Sequence, residues 1–576
     1  MTRVDALARR APLVAALAAA VASTAALAQP MGTMPTPVPM PGIGPRAQTP
    51  PAAPGAPAAP GAAADAVGTP GASGDGTLPI GTGAVPPGVQ GPTPARRTVI
   101  SPGLWTQFTF SDNVDLQPRG RETRGWLLEV SPFVQADLNS PRAVGSIFYA
   151  ARGLVYGGDT TRSNEVRNDL RAAADFRITE QALRLSTAAY VFDVNRSPFG
   201  TASFDPGARS LTRTTYQRFD VSPYVVGRTA QTDYELRYRA GYIDPGEGFV
   251  ANLAQGLSYA AGTSPGAARF GWISRGDTAR YAYDNGFDYT ATLVEALATW
   301  SPTPLLRIGA GGNYSANSAL ANADGKTSGF GPSLGLDWRP DPRTQFAARW
   351  SSTHYSNLVA VAAAHQTGRV RVGLTYDRGI RDGNQAGLLY FDPTRVFATP
   401  SSTNAALAAE RGQSADALMA GGPVARDPAI SVGAPLSAGS TQSPIVDAQA
   451  LVASLQVAAP RSAVLLTAYL SDQKPALRVP GFPTVADLDT WGVQGRYDYR
   501  LDARTTAIVT AAYQSAKSVE TGTESTLLGG SIGLRYQLSA QAAVLGSLRT
   551  ARQRAIAGPA VAYDENAASV AGEYRF

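Results

Sequence analysis

Beyond residue 98, polar and apolar positions alternate with period two along most of the chain. In 166–178, Val166, Asn168, Leu170, Ala172, Ala174, Phe176 and Ile178 share one face, and Arg167, Asp169, Arg171, Ala173, Asp175 and Arg177 share the other. In 231–243, Thr232, Tyr234, Leu236, Tyr238, Ala240 and Tyr242 oppose Asp233, Glu235, Arg237, Arg239 and Gly241. In 491–500, Trp491, Val493, Gly495, Tyr497 and Tyr499 oppose Gln494, Arg496, Asp498 and Arg500. Leu528, Gly530, Ile532, Leu534, Tyr536 and Leu538 oppose Ser531, Arg535 and Gln537, and 369–377 repeats the scheme with Arg371 and Asp377 on its polar face. This is the pattern of strands with one face in an apolar medium. The runs exceed the length usual in globular sheets and match the about 9–11 tilted residues that cross a bilayer. Aromatic residues gather near their ends, as an interfacial girdle requires.

The connections carry the same message. Very short turns at 138–141, 179–181, 229–231, 301–304, 339–342, 366–368, 458–460, 501–503 and 539–541 separate longer polar or Gly-rich stretches at 194–213, 244–283, 318–326, 380–444, 473–486, 517–524 and 552–565. Short turns on one side and long loops on the other are the layout of an outer-membrane barrel. The chain therefore reads as an all-β, antiparallel, up-and-down transmembrane β-barrel of about 20 strands (18–22), with short periplasmic turns and long extracellular loops. Region 343–379 accommodates two strands or three, and 103–111 is either the first strand or a plug. The last stretch, 565–576, puts Ala568, Val570, Gly572, Tyr574 and Phe576 on one face and Ser569, Ala571, Glu573 and Arg575 on the other. A strand ending flush on an aromatic residue resembles the closing strand of bacterial outer-membrane barrels. That resemblance implies that Val570, Tyr574 and Phe576 are read by the barrel-assembly machinery.

The N-terminus has another texture. Arg3, Arg9 and Arg10 precede an apolar run over 11–27, and Ala26-Leu27-Ala28 supplies a small-residue cleavage site. This is a secretory signal peptide over 1–28; the run is short for a spanning helix of about 20 residues. Residues 29–98 are Pro, Ala and Gly with almost no charge and no aromatic residue. Such a segment cannot bury enough apolar area to offset chain entropy, so it reads as a disordered periplasmic linker. A plain spacer is the first reading, and a tether or docking ligand for an export partner the second. Residues 99–576 then form one domain.

Composition narrows the function. The chain has 576 residues and no Cys, and a net charge of +6 carried almost wholly by Arg. Lacking Cys, it has no disulfide, thiol catalyst or Cys–metal site. The Arg residues are scattered rather than patched, unlike a nucleic-acid surface. Its two histidines, His354 and His365, fall about 11 residues apart along one strand, too far to share a metal when a strand rises about 3.3 Å per residue. No phosphate loop or dinucleotide fingerprint is present. We expect no enzyme, no cofactor and no metal, and membrane lipids as the surroundings.

Some stretches go beyond class. Val99-Ile100-Ser101-Pro102, followed by Phe110-Ser111-Asp112-Asn113-Val114, resembles the opening of outer-membrane proteins associated with PEP-CTERM/exosortase exopolysaccharide loci, a group overlapping the β-barrel porin 2 proteins. Val130-Ser131-Pro132, Val221-Ser222-Pro223-Tyr224 and Leu236-Arg237-Tyr238 are similar to its later segments. The resemblance spans 99–576; the insertion at 380–444 and the Pro-rich linker depart from it. It implies an outer-membrane barrel near exopolysaccharide production, with export components as partners of the linker, and brings no defined substrate. The alternatives are a general or anion-leaning diffusion porin and, behind it, an outer-membrane enzyme. On either transport reading Arg167, Asp169, Arg171, Asp175, Arg177, Asp233, Glu235, Arg237, Arg239, Arg371, Asp377, Arg496, Asp498, Arg500 and Arg535 line the lumen. They form either a mildly cationic passage or a ladder of ion pairs that merely satisfies the interior.

Overall fold

The computed structural model describes residues 98–576 except 141, 161, 180–181, 196–198, 202–212, 247–248, 264–267, 342, 383–443, 478, 480–486 and 559–560. The expected signal peptide, the linker up to residue 97 and nearly all of the 380–444 loop lie outside the described residues. The chain divides into Met1–Gly68 and Thr69–Phe576, and every described residue belongs to the second unit.

Among the described residues all regular structure is strand. The strands are β1 (Val99–Ser111), β2 (Gly125–Asn139), β3 (Ala143–Gly158), β4 (Glu165–Arg177), β5 (Leu183–Asn195), β6 (Arg213–Arg228), β7 (Thr232–Asp244) and β8 (Asn252–Thr263). There follow β9 (Phe270–Tyr283), β10 (Asp288–Thr303), β11 (Leu306–Asn317), β12 (Ser328–Asp341), β13 (Thr344–Ser352), β14 (Asn357–Gln366) and β15 (Val370–Asp382). The last are β16 (Ile445–Ala458), β17 (Ser462–Pro475), β18 (Leu488–Arg500), β19 (Thr505–Ser518), β20 (Glu524–Gln537), β21 (Ala542–Ala557) and β22 (Tyr563–Arg575). Each pairs antiparallel with the next, and β1 pairs with β22, so one 22-stranded sheet closes on itself. The closing register runs from Gly103 opposite Arg575 to Ser111 opposite Ala567. Beyond it the Phe576 amide donates to the Pro102 carbonyl at 3.0 Å. Closure leaves no unpaired edge, which is the condition for strands to survive in an apolar solvent.

The count is 22 rather than about twenty, and the difference lies in one place. The stretch 244–283, expected to be a long loop, contains β8 and β9. Its glycines read as loop composition, but two of them sit where neighbours leave no room. A Cβ on Gly256 would come within 2.5 Å of the Thr278 carbonyl oxygen, and one on Gly276 within 2.4 Å of the Tyr259 ring. They are close-packing positions in a ladder, not turn residues. Region 343–379 holds three strands, and β1 is a wall strand rather than a plug. With an even number of strands, both ends of the sheet lie on the side of the short turns. Several of these are closed by one backbone hydrogen bond, such as Thr229 N to Thr232 O at 2.8 Å and Thr367 N to Val370 O at 2.7 Å.

The two faces of the wall differ sharply. Large apolar side chains at every second position are exposed, including Phe108 and Phe110 on β1, Tyr234, Leu236 and Tyr238 on β7, and Leu528, Ile532 and Leu534 on β20. Phe330 on β12 is 86% exposed. Soluble monomers rarely expose so continuous an apolar surface. The alternate positions carry polar and charged groups and are mostly buried or half-buried. Contacts between non-adjacent strands identify that second face as the concave one. Arg349 on β13 reaches Glu295 on β10 across the two intervening strands β11 and β12, as side chains converging inside a ring do.

Candidate functional site

All fifteen residues expected to line the lumen stand on the concave face, at the positions alternating with the exposed apolar ones. Most are tied to an opposite charge. On β4, Arg167 pairs with Glu165 on its own strand and, at 3.4 Å, with Asp193. Arg171 bonds Asp169 at 3.1 Å. Asp175 accepts a 2.6 Å hydrogen bond from the Tyr224 hydroxyl. On β7, Arg237 holds Glu235 at 2.7 Å and lies 3.8 Å from the centre of the same Tyr224 ring. Arg239 reaches Asp277 at 3.6 Å, Arg496 and Asp498 pair at 2.8 Å, and Arg535 meets Glu573 at 3.3 Å. Asp233 and Asp377 are buried, and Arg371 is half-buried. Arg177 and Arg500 are exposed at the short-turn end of their strands.

The local rule behind this is simple. Residues two apart on a strand point the same way, so an acid and an arginine at that spacing form a pair without help from another strand. Glu165/Arg167, Asp169/Arg171, Glu235/Arg237, Arg496/Asp498 and Glu573/Arg575 all use it. Cross-strand groups add a second layer that the pattern did not single out. Glu129 on β2 is gripped by two nitrogens of Arg152 on β3, at 2.8 and 2.7 Å. Glu565 on β22 meets Arg549 on β21 at 2.8 Å. Glu295 on β10 receives Arg275 from β9 (Nε to Oε2, 2.6 Å), Arg349 from β13 (3.2 Å) and the Ser351 hydroxyl (2.7 Å). A register longer than one strand brings these together, which a single sequence does not show.

The opening stretch Ser111-Asp112-Asn113-Val114 has a structural job. It starts the first long loop, 112–124, and fastens it across the closing seam. Asn566 donates to both carboxylate oxygens of Asp112, by its backbone amide at 2.7 Å and its side chain at 2.8 Å. The fully buried Asn113 donates to the Asp564 and Gln117 carbonyls at 2.9 and 2.8 Å and accepts from the Gln117 amide at 2.8 Å. Asp115 accepts from Thr123 and Thr160, at 2.9 and 3.0 Å, and pairs with Arg162. These bonds bend the chain at Leu116, whose φ of +52° lies in the left-handed region. Its side chain is 1% exposed, packed among Ala512, Leu527, Ala551 and Tyr563 of β19 to β22.

Val570 and Tyr574 stand exposed on the convex face of β22, and Phe576 is exposed just beyond it, its ring edge-on to Tyr574 at 5.1 Å. The two histidines stand at the two ends of β14, His354 just before it and His365 next to its last residue. His354, in the loop 353–356, holds Ser315 Oγ through Nδ1 at 2.8 Å, while its Nε2 is buried without a partner. That burial pushes its pKa below the ordinary histidine value. His365 holds Thr344 Oγ1 at 2.8 Å at the opposite end. Among the described residues no group of three His, Asp or Glu side chains is placed to hold a metal. At the flank of the longest loop, the Tyr283 hydroxyl donates to the Pro444 carbonyl at 3.0 Å.

No family model matches the chain, and no curated protein does. Among solved structures it is similar to a mutant form of the ferric enterobactin receptor PfeA from Pseudomonas aeruginosa, at 10% identity and a TM-score of 0.40, covering 83% of this chain and 80% of that one. It is also similar to the outer membrane protein OpdK from the same organism, at 13% identity and a TM-score of 0.33, covering 83% and 99%. A third is the FrpB iron transporter from Neisseria meningitidis, at 9% identity and a TM-score of 0.41, covering 83% and 82%. At such values the likeness assigns no activity, and what this chain carries is a closed, two-faced wall with a charged concave side.

Proposed function

We propose that this chain is a bacterial outer-membrane barrel through which hydrophilic solutes cross. The observation that carries the reading is the division of one closed sheet into an exposed apolar convex face and a charged, hydrogen-bonded concave face. Lipid accepts the first, and only a polar interior justifies the second. A ring of 22 strands is also wider than side chains alone would fill. The local ion pairs favour an interior that is mostly self-neutralised, with its surplus charge confined to a few places. The protein purified from outer membranes would migrate differently on detergent gels before and after boiling, and would give stepwise currents in planar lipid bilayers. A folded barrel that never conducts would refute solute passage.

The resemblance of the opening residues supports a second reading, a barrel serving exopolysaccharide export with components docking on the linker over 29–98. The residues behind it, Ser111 to Val114, build the hook on the seam. A closed channel together with loss of polymer secretion on deletion would favour export over diffusion.

A further inference from the structure

Among the described residues, one cluster on the concave face holds buried charges that do not balance. Arg275 and Arg349 share a single carboxylate, that of Glu295, which is 1% exposed. The three residues lie near the middle of β9, β13 and β10 respectively. Among the described residues no second carboxylate reaches either guanidinium. Behind the carboxylate the hydrogen-bonding partners are neutral. Ser351 donates to Glu295, Ser333 donates to Ser351 at 3.0 Å, and Asn313 donates to Ser333 at 2.9 Å, so a file of hydroxyl and amide groups fixes the carboxylate from behind. Asp277, two residues from Arg275 on the same strand, pairs with Arg239 of β7 instead. That leaves one acid for Arg275 and Arg349, and the group carries one net positive charge.

We propose that Arg275 and Arg349, clamped by Glu295, form a mid-barrel station that makes the passage prefer small anions. The inference rests on the reading of the barrel as a solute passage and adds the class of solute. The physical reasons are three. Arginine stays charged at every working pH and presents a planar fork suited to carboxylate and phosphate oxygens. A surplus charge set in a low-dielectric wall is screened less than one at the surface. Such a charge beside the aqueous passage proposed above raises the local concentration of counter-ions. Stability alone does not account for the group, because buried Arg–Glu–Arg triads are often replaceable by apolar residues without loss.

The test is the reversal potential in planar bilayers under a potassium chloride gradient. The wild type should pass chloride in preference to potassium. Glu295→Gln raises the surplus from one charge to two and should increase the chloride-to-potassium permeability ratio about sevenfold, because one unit charge some 7 Å from the path in water-like dielectric enriches chloride and depletes potassium by about 2.7-fold each. Arg349→Gln removes the surplus and should bring the ratio down by a similar factor. Arg275→Lys, which keeps the charge, should leave it unchanged. Conducting channels whose selectivity is the same in all four proteins would overturn the station and leave the passage standing. A wild-type channel that favours cations would overturn it without any variant, so a substitution that fails to fold does not protect the idea. A wild type that folds and never conducts would refute the passage and the station together.

Discussion

Leu116 offers a test in which two physical effects oppose each other. It is a non-glycine residue at φ +52° and 1% exposed. The left-handed conformation costs an L-residue about 1–2 kcal/mol, and here the cost is offset by packing against Ala512, Leu527, Ala551 and Tyr563. Leu116→Ala discards the packing and keeps the strain; a buried Leu→Ala change costs about 2–5 kcal/mol. Leu116→Gly discards the same packing and relieves the strain, less the about 0.5–1 kcal/mol that glycine's extra freedom in the unfolded chain takes back. The glycine variant should therefore be the more stable of the two by about 0.5–1 kcal/mol, and both should fall below the wild type. That order inverts the usual one, in which alanine beats glycine. The readout is the denaturant midpoint in detergent micelles, followed by tryptophan fluorescence, with the boiling-dependent gel shift as a check that each variant assembles. If alanine matches or exceeds glycine, the bend at Leu116 is not strained as described. If neither variant loses stability, the hook does not hold the seam.

Three further outcomes can be measured. Deleting Tyr574, Arg575 and Phe576 removes the Gly103–Arg575 and Leu104–Tyr574 pairings and the Phe576–Pro102 bond, so membrane insertion should fail before any transport defect is seen; normal insertion would count against assembly reading these residues. Gly331→Ala places a Cβ 1.8 Å from the Ser352 carbonyl oxygen and should destabilise by about 1–3 kcal/mol through overpacking, where a glycine in a strand would ordinarily gain from alanine; an unchanged unfolding midpoint is the contrary result. Burial holds the His354 pKa below the ordinary histidine value, so the unfolded chain binds that proton more readily than the folded one. The stability from the neutral ring is present above about pH 6.5 and is lost as pH falls through that value toward the lowered one; the wild-type midpoint should drop in this window and that of His354→Gln should not, and parallel curves would remove the histidine from the account.

Much of the wall was legible because the information is local. Alternation with period two assigns a face from the residues of one strand alone, and the fifteen residues expected to line the lumen do alternate along their strands with the apolar positions of the other face. The same locality covers the pairs two apart, such as Glu235 with Arg237. What was not legible involves glycine or distance. In β8 and β9 the alternation is diluted by glycines whose purpose, making room for Thr278 and Tyr259, exists only once neighbouring strands are in place. The hook at Asn113 and Leu116 depends on Asp564 and on four strands from the far end of the sequence.

The station at Glu295 belongs to that second kind. Arg275, Glu295 and Arg349 lie on three strands, and each looks unremarkable beside the conspicuous charged runs of β4 and β7. In those runs acid and base alternate with each other, and for the same reason they largely cancel. A pair that neutralises itself within one strand contributes little field at a distance, whereas a carboxylate shared by two guanidiniums leaves a whole charge behind. The residues that set selectivity in a barrel of this kind are then to be sought not where arginine is densest in the sequence, but where the register brings in one arginine more than the acids can answer.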